Sequence, residues 1–258
     1  MPDRNVAKAA DKTSAAGSSP IFFQTPRPLD IKYHAKSGVL PSQDFSFATE
    51  TNSIPINAIE FVEAAKHYPI IFTHTDNPIP AVILGLERQN YFVDSKGKWK
   101  MDAYIPAYVR KYPFIFMDMT ETHKQLLLCI DESAPQFKKA GGKNTIPLYE
   151  NDKPSAITLQ ALEFCTAYHN HYIVTRQFCQ AIKEADLLEP TQSNIKLANG
   201  REISLGGFQV IDEKKLNALS DDKILEFHKK GWLPLIYFSL MSASCWKKLV
   251  DIASKLEN

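Results

Sequence analysis

The stretch that decides the fold covers residues 67–114 and reads HYPIIFTHTDNPIPAVILGLERQNYFVDSKGKWKMDAYIPAYVRKYPF. It contains two short apolar runs, residues 68–73 and 81–86, which are rich in β-branched and aromatic side chains. Runs of this length and composition predict buried strands. The Pro, Asn, Asp and Gly residues between the runs predict turns. The stretch therefore predicts a β-rich lobe.

Lysines alternate with other residues in the second half of this stretch, at positions 96, 98 and 100. In a strand these lysines would share one face and Trp99 would point to the other. Two interpretations follow: an exposed edge strand that lysines protect against pairing with other chains, or an anion site with aromatic stacking partners. The candidate ligand-binding residues of the second interpretation are Trp99, Lys100, Tyr104, Tyr108 and Arg110.

Arg110 lies in a segment of aromatic rings that two prolines, Pro106 and Pro113, make rigid. We expect a guanidinium in this setting to be partly buried and paired, because a buried unpaired charge is costly. The expected partner is internal, Asp131 or Glu132 at the end of a later predicted strand. A ligand anion is the alternative partner.

A second candidate site is an iron centre. His74 and Asp76 match the H-x-D opening of a two-histidine, one-carboxylate iron site. The third ligand would be His123, or else His169 or His171. A solvated turn after a strand explains residues 74–76 equally well. No cofactor is therefore predicted, and iron is kept as the alternative.

Helical periodicity replaces short apolar runs after residue 154. One helix is predicted from Ser155 to about Leu188, and another without a break from about Leu233 to Leu256. Strands first and helices last are typical of an α+β protein. We expect a disordered tail over residues 1–28 and one domain over 29–258. Its β-rich lobe, a mixed or barrel-like sheet, would cover residues 29–150, and long helices would pack against it from residues 151–258.

Composition excludes several classes of protein. The chain of 258 residues has a net charge of +1, which favours neither nucleic acid nor membrane surfaces. No apolar run reaches the roughly 18–20 residues of a spanning helix, and no secretory signal opens the sequence. The four cysteines are far apart and lie in apolar patterns, as expected of reduced, buried thiols. These observations predict a soluble, cytoplasmic protein without membrane insertion or nucleic-acid binding.

Several motifs in this pattern resemble the SapC family, which is named for an open reading frame in a bacterial surface-layer gene cluster. The resemblance covers roughly residues 45–250, and sequence patterns place such boundaries to within a few residues. The segments that carry it are HYPIIF (67–72), LGL (84–86), YFVD (91–94) with Gly97 and Trp99, YIPAYVRKYPF (104–114), LCIDE (128–132), GGF (206–208) with Val210, Asp212 and Glu213, and GWLPLI (231–236). The resemblance implies a link to surface-protein handling and transfers no catalytic residues.

Three classes of function remain open. No phosphate-binding loop, nucleophile elbow, zinc-protease or paired zinc-ligand motif occurs in the sequence. This favours a non-enzymatic accessory or binding protein whose partner is a peptide, a protein or a small anionic or sugar ligand. The alternatives are an iron-dependent oxygenase that uses His74 and Asp76, and a sensor of small molecules or carbohydrates.

Overall fold

The computed structural model of the protein describes residues 7–8, 20–118, 126–197 and 200–256. The chain divides into two compact units, and each combines segments that are distant in sequence. The first unit comprises Met1–Asp11, Phe45–Ala107 and His171–Asn258, and the second comprises Lys12–Asp44 and Tyr108–Asn170.

Most strands are short, and two long ones stand late in the chain. The strands are β1 (Ala7–Lys8), β2 (Pro26–Pro28), β3 (Ser37–Val39), β4 (Ser53–Pro55), β5 (Ile70–Thr73), β6 (Pro80–Ile83), β7 (Phe114–Asp118), β8 (Leu126–Asp131), β9 (Phe137–Lys139), β10 (Ile146–Pro147), β11 (Tyr149–Glu150), β12 (Lys153–Pro154), β13 (Leu188–Lys196) and β14 (Glu202–Ile211).

The helices range from one turn to eight. The α-helices are α1 (Ile31–His34), α2 (Phe61–Ala64), α3 (Ala107–Arg110), α4 (Ala156–Glu184), α5 (Glu213–Asn217), α6 (Asp221–Lys229), α7 (Leu233–Met241) and α8 (Cys245–Leu256). Single 3-10 turns occupy Ser46–Ala48, Ala58–Glu60 and Ser242–Ser244.

The first unit is built on one sheet. Strands β4, β6 and β5 pair antiparallel in that order, and β5 continues to β14. Every residue of β5 and β6 is buried, as the continuous apolar runs predict for strands covered on both faces. Strand β14 forms a long antiparallel hairpin with β13 and pairs in parallel with β1. After β6, a side chain at Gly85 would collide with the carbonyl oxygen of Gln89, so this tight turn requires glycine.

Aromatic rings join the helices of the first unit to its sheet. Phe178 of α4 lies edge-on to Phe61 of α2 at 6.0 Å between ring centroids. It also approaches Phe72 of β5 at 6.5 Å and Trp232 at 6.3 Å. Large buried rings of this kind each remove about 150–250 Å² from water, which makes Phe178 a central packing residue of this unit.

The second unit contains two three-stranded sheets and a small hairpin. The sheet orders are β2–β8–β7 and β10–β3–β9, and β11 pairs with β12. Its hydrophobic core consists of Val39, Phe114, Ile130, Leu148 and Cys165. Cys165 comes from the first half of α4, so this helix supplies a core residue to the second unit before it continues into the first.

The predicted α+β class is confirmed. The strands in the described residues form open sheets, so the barrel-like alternative is wrong and the mixed sheet is the observed form. The longest hairpin of these residues, β13–β14, stands between helices α4 and α5, so strands are not confined to the first half of the chain. The expected unbroken last helix is interrupted by the 3-10 turn Ser242–Ser244.

The predicted disordered tail over residues 1–28 is wrong for residues 20–28, while residues 1–6 and 9–19 lie outside the described residues. Phe23 is buried, and Pro26–Pro28 forms strand β2 against β8. The ends of a chain are predicted to be disordered unless other parts of the fold hold them in place. Here the strand that holds β2 is β8, which lies about one hundred residues away in the sequence.

Candidate functional site

Of the predicted ligand-binding residues in the first unit, Trp99 is buried and Tyr104 is half-buried. Trp99 is buried, and its indole Nε1 donates to the hydroxyl of Tyr68 at 3.2 Å. The Tyr68 hydroxyl in turn donates to the carbonyl oxygen of Tyr104. This chain of bonds uses the polar ends of both rings for the fold, so Trp99 offers no open stacking face.

The hydroxyl of Tyr104 donates to a buried carboxylate, Glu60, at 2.9 Å. The same Glu60 oxygen accepts from the backbone N–H of Ala107 at 2.7 Å, and the other oxygen accepts from that of Asn57 at 2.7 Å. Asn57 and Glu60 form a capping box at the start of the turn Ala58–Glu60, as their spacing predicts. The carboxylate therefore ties the segment before α3 to the start of α2.

The lysine row is exposed but does not form a strand. Only the bridge between Val93 and Trp99 is present there. The backbone N–H groups of Lys96 and Lys98 donate to the Asp94 carboxylate at 2.8 and 2.9 Å, which lowers the pKa of Asp94. Lys100 lies over the Phe92 ring at 5.3 Å. Partial desolvation, and then the charge of Lys248, lower the pKa of Lys100.

Tyr108 and Arg110 lie in the second unit. Tyr108 is buried, and its hydroxyl donates to the carbonyl oxygen of Ile21 at 3.2 Å. Arg110 is exposed, with its guanidinium 5.4 Å from the Phe164 ring centroid, so its predicted partial burial is wrong. Asp131, the expected partner, accepts from Gln24, Thr25 and Ser133. Arginine tolerates exposure on an aromatic face because its planar charge stacks there while remaining hydrated.

The iron-site residues lie on an exposed turn after β5. His74 and Asp76 are both exposed, and the carbonyl oxygen of Asp76 accepts from the Lys183 ammonium at 2.6 Å. His123 lies outside the described residues. Within residues 20–118, 126–197 and 200–256, no three His, Cys, Asp or Glu side chains come together in a way that could hold a metal ion.

An open groove of about 670 Å³ lies on the first unit and was not predicted. We call it the α4–α6 groove. The second half of α4 forms one wall, and residues of α6 and the turn after it form the other. Its lining residues are Val174, Arg176, Gln177, Gln180, Ala181, Glu184, Lys223, Glu226, Lys230 and Trp232. Val174 is 54% exposed, which is high for an apolar side chain in the middle of a 29-residue helix.

The electrostatics of the α4–α6 groove centre on Glu226. Its carboxylate pairs with Lys230 and Lys223, at 2.9 Å each. These two bonds lower the pKa of Glu226 to about 2, so the carboxylate is ionised throughout the physiological range. The Lys230 ammonium also lies 4.5 Å from the Trp232 ring centroid.

A third cation, Arg176, completes the charge pattern of the groove. Its guanidinium donates to the side-chain oxygen of Asn77 at 3.0 Å and contacts the Tyr172 hydroxyl at 3.4 Å. The second carboxylate of the lining is Glu184, which accepts a hydrogen bond from the Gln180 side chain at 2.8 Å. The lining thus contains three cations and two carboxylates, which leaves one positive charge in excess.

The comparison with protein families decides what kind of chain this is. The SapC family profile matches residues 29–249. The chain belongs to the SapC family. Comparisons with curated proteins and with solved structures give no match.

SapC membership agrees with the resemblance drawn from the motifs between residues 45 and 250 and extends it toward the start of the chain. All lining residues of the α4–α6 groove fall within the matched segment. None of the described helices is both long and apolar enough to cross a membrane.

A sequence signal for the groove existed but was weak. The residues Arg176, Gln177 and Gln180 form a polar patch on α4 beside the apolar Val174. A polar face on a helix normally indicates that this face is exposed to solvent. Only the approach of α6 and Trp232 makes it concave, and that approach depends on contacts between residues about fifty positions apart.

Proposed function

We propose that this SapC-family chain is a non-enzymatic accessory protein that binds an extended acidic peptide segment of a partner protein in the α4–α6 groove. The family resemblance suggests surface-layer or other surface proteins as the source of that segment. The observation that carries the proposal is the groove itself, an open concavity whose lining combines apolar side chains, amide side chains and an excess of positive charge.

Groove length fits a short peptide. From Val174 to Glu184 a helix rises about 15 Å, which corresponds to about five residues of extended chain. Gln177 and Gln180 present amide groups that donate and accept hydrogen bonds, as the exposed backbone of an extended peptide requires.

Charge favours an acidic peptide over a basic one. Glu226 already shares its charge between two lysines. The two carboxylates of the lining do not neutralise its three cations, so an incoming carboxylate meets an excess of positive charge. Arg176 adds a fork of donors suited to a carboxylate. The apolar part of Trp232 and Val174 would contact the side chains between the acidic residues.

The test is fluorescence anisotropy with a labelled pentapeptide that alternates glutamate and phenylalanine. Peptides with lysine or glutamine in place of glutamate serve as charge controls. We expect the acidic peptide to bind most tightly and to weaken at high salt, since screening reduces contacts between exposed charges.

Two charge-reversal variants separate the groove from the general field of the molecule. Lys223→Glu removes a lining cation and should weaken binding about tenfold or more, which corresponds to about 1.4 kcal/mol. Lys229→Glu makes the same charge change on an exposed position of α6 outside the lining and should change binding little. Equal weakening in both variants, or no preference for the acidic peptide, would contradict the proposal.

A further inference from the structure

Lys111 is a buried lysine of the second unit whose ammonium group is surrounded by aromatic rings. Its side chain is only 7% exposed. The Nζ atom lies 4.0 Å from the Tyr108 ring centroid, 4.5 Å from that of Tyr168 and 5.8 Å from that of Phe23. We call these three rings and Lys111 the lysine cage. Lys111 follows the exposed Arg110 directly in the sequence, so its burial is a property of the tertiary structure.

The part of the chain that the structure describes supplies no carboxylate to neutralise this lysine. Among the residues that the structure describes, none forms an ion pair with Lys111 within 4 Å. Aromatic faces stabilise an ammonium, but less than a paired carboxylate and bound water together do. Burial accordingly lowers the pKa of Lys111 to about 8, and a lysine in this state has a large share of the free, nucleophilic amine.

The neighbouring thiol does not compete as a nucleophile. Cys165 belongs to the core of the same unit, and burial raises its pKa to about 11 although the charge of Lys111 acts in the opposite direction. Near neutral pH the thiol stays protonated and the amine becomes available, so Lys111 is the reactive group of this pair.

A strained segment lies against the lysine cage and supplies one of its rings, Phe23. Residues 20–23 form a turn that the bond from the Phe23 N–H to the Pro20 carbonyl closes at 3.1 Å. The Tyr108 hydroxyl holds this turn through the Ile21 carbonyl. Phe22 has φ = 76°, a left-handed conformation that is costly for a bulky side chain. Strain of this kind concentrates where a segment clamps or gates a site.

We propose that Lys111 is a reactive amine that condenses with a small aldehyde or ketone, and that residues 20–23 form a cover over it. The Nζ lone pair attacks the carbonyl carbon and forms a C–N bond. One amine proton moves to the carbonyl oxygen, which gives a carbinolamine. The carbinolamine then loses its hydroxyl group and the second amine proton as one water molecule, and a C=N bond remains. The step requires no oxidant or reductant, and it is independent of peptide binding in the α4–α6 groove.

The test uses acetaldehyde with sodium cyanoborohydride, which reduces the imine and fixes it as an ethylated amine. Peptide mass spectrometry measures the rate at each lysine of the intact protein at pH 7.5. At this pH about a quarter of Lys111 is free amine, against about one part in a thousand for an ordinary lysine. The free-amine fraction of Lys111 is thus more than about a hundredfold higher, but the cover slows the access of acetaldehyde. We therefore expect Lys111 to react about tenfold faster than Lys138 and Lys139.

The two reference lysines are exposed residues of the same unit, so every molecule contains its own control. Ethylation of Lys111 at the same rate as Lys138 and Lys139, or more slowly, would overturn the proposal. Lys111→Arg should remove the fast signal while the rates at Lys138 and Lys139 stay unchanged.

Tyr108→Phe tests the cover separately. The variant keeps the ring beside Lys111 and removes the hydroxyl that holds Ile21. We expect ethylation of Lys111 to become several-fold faster, because the turn opens more often. An unchanged or slower rate would show that residues 20–23 do not control access.

Discussion

Asp131 is the polar centre that fastens Gln24 and Thr25 to the end of strand β8 within the second unit. The residue is fully buried, at 0% exposure. One carboxylate oxygen accepts from the Thr25 N–H at 2.9 Å and the Ser133 hydroxyl at 2.6 Å. The other accepts from the Gln24 N–H at 3.0 Å. These bonds to an ionised acceptor lower the pKa of Asp131, although desolvation acts in the opposite direction.

We expect Asp131→Asn to lower the free energy of unfolding by about 3 kcal/mol at neutral pH. The asparagine can keep its oxygen toward Thr25 and Ser133, but its NH₂ group then faces the Gln24 N–H, donor against donor. One lost bond to a charged group costs about 1.5–3 kcal/mol, and the remaining bonds weaken because their acceptor is now neutral.

The effect should also depend on pH in a defined direction. Because the pKa of Asp131 is lower in the folded state, its carboxylate stabilises the fold above the unfolded pKa of about 3.9. This stabilisation is lost as the pH falls through the folded pKa. The difference between wild type and Asp131→Asn should therefore be constant near neutrality and shrink below about pH 4.

Urea denaturation followed by circular dichroism at several pH values measures both effects. Glu150→Gln is the matched control, since Glu150 is an exposed acid of the same unit and its change should stay within about 0.5 kcal/mol. A cost for Asp131→Asn below that limit, or a difference that grows in acid, would refute the reasoning.

Two further substitutions test the first unit by the same denaturation assay. Leu249→Ala should cost about 2–5 kcal/mol because Leu249 of α8 is fully buried, whereas Leu256→Ala, at a position 57% exposed, should cost under about 0.5 kcal/mol. Equal effects of the two would mean that α8 is not docked. Glu60→Gln should cost about 1–3 kcal/mol, since the new NH₂ group must face either the Ala107 or the Asn57 N–H. A neutral result would show that the Glu60 carboxylate does not hold Ala107 to the start of α2.

Local patterns in the sequence were sufficient for many of the elements. The apolar runs around residues 68–73 and 81–86 became β5 and β6, and the helical periodicity after Ser155 became α4. The capping box of Asn57 and Glu60 is also present. These features depend on neighbours within a few positions, so propensity and periodicity determine them directly.

The candidate sites depended on contacts that no local pattern records. Trp99 and Tyr108 are aromatic residues beside cations, a pattern that fits a binding surface and a packed interior equally well. In the folded protein both side chains are buried, and their hydrogen bonds to Tyr68 and Ile21 stabilise them in the packed interior. Arg110 and Lys111 are adjacent and both cationic, yet one is exposed on Phe164 and the other is buried among three rings.

The sequence alone determined the α+β class, the buried strands β5 and β6, the long helix α4 and the family. The tertiary structure alone decided which cation was buried, which face of α4 became a groove, and which strand continued the sheet beyond β5. The physical reason is the range of the contacts. β14 pairs with β5 across about 135 positions, and Phe23 approaches Lys111 across almost ninety. Side-chain environment at such positions is set by the partners that folding brings together, and a single sequence does not specify those partners locally.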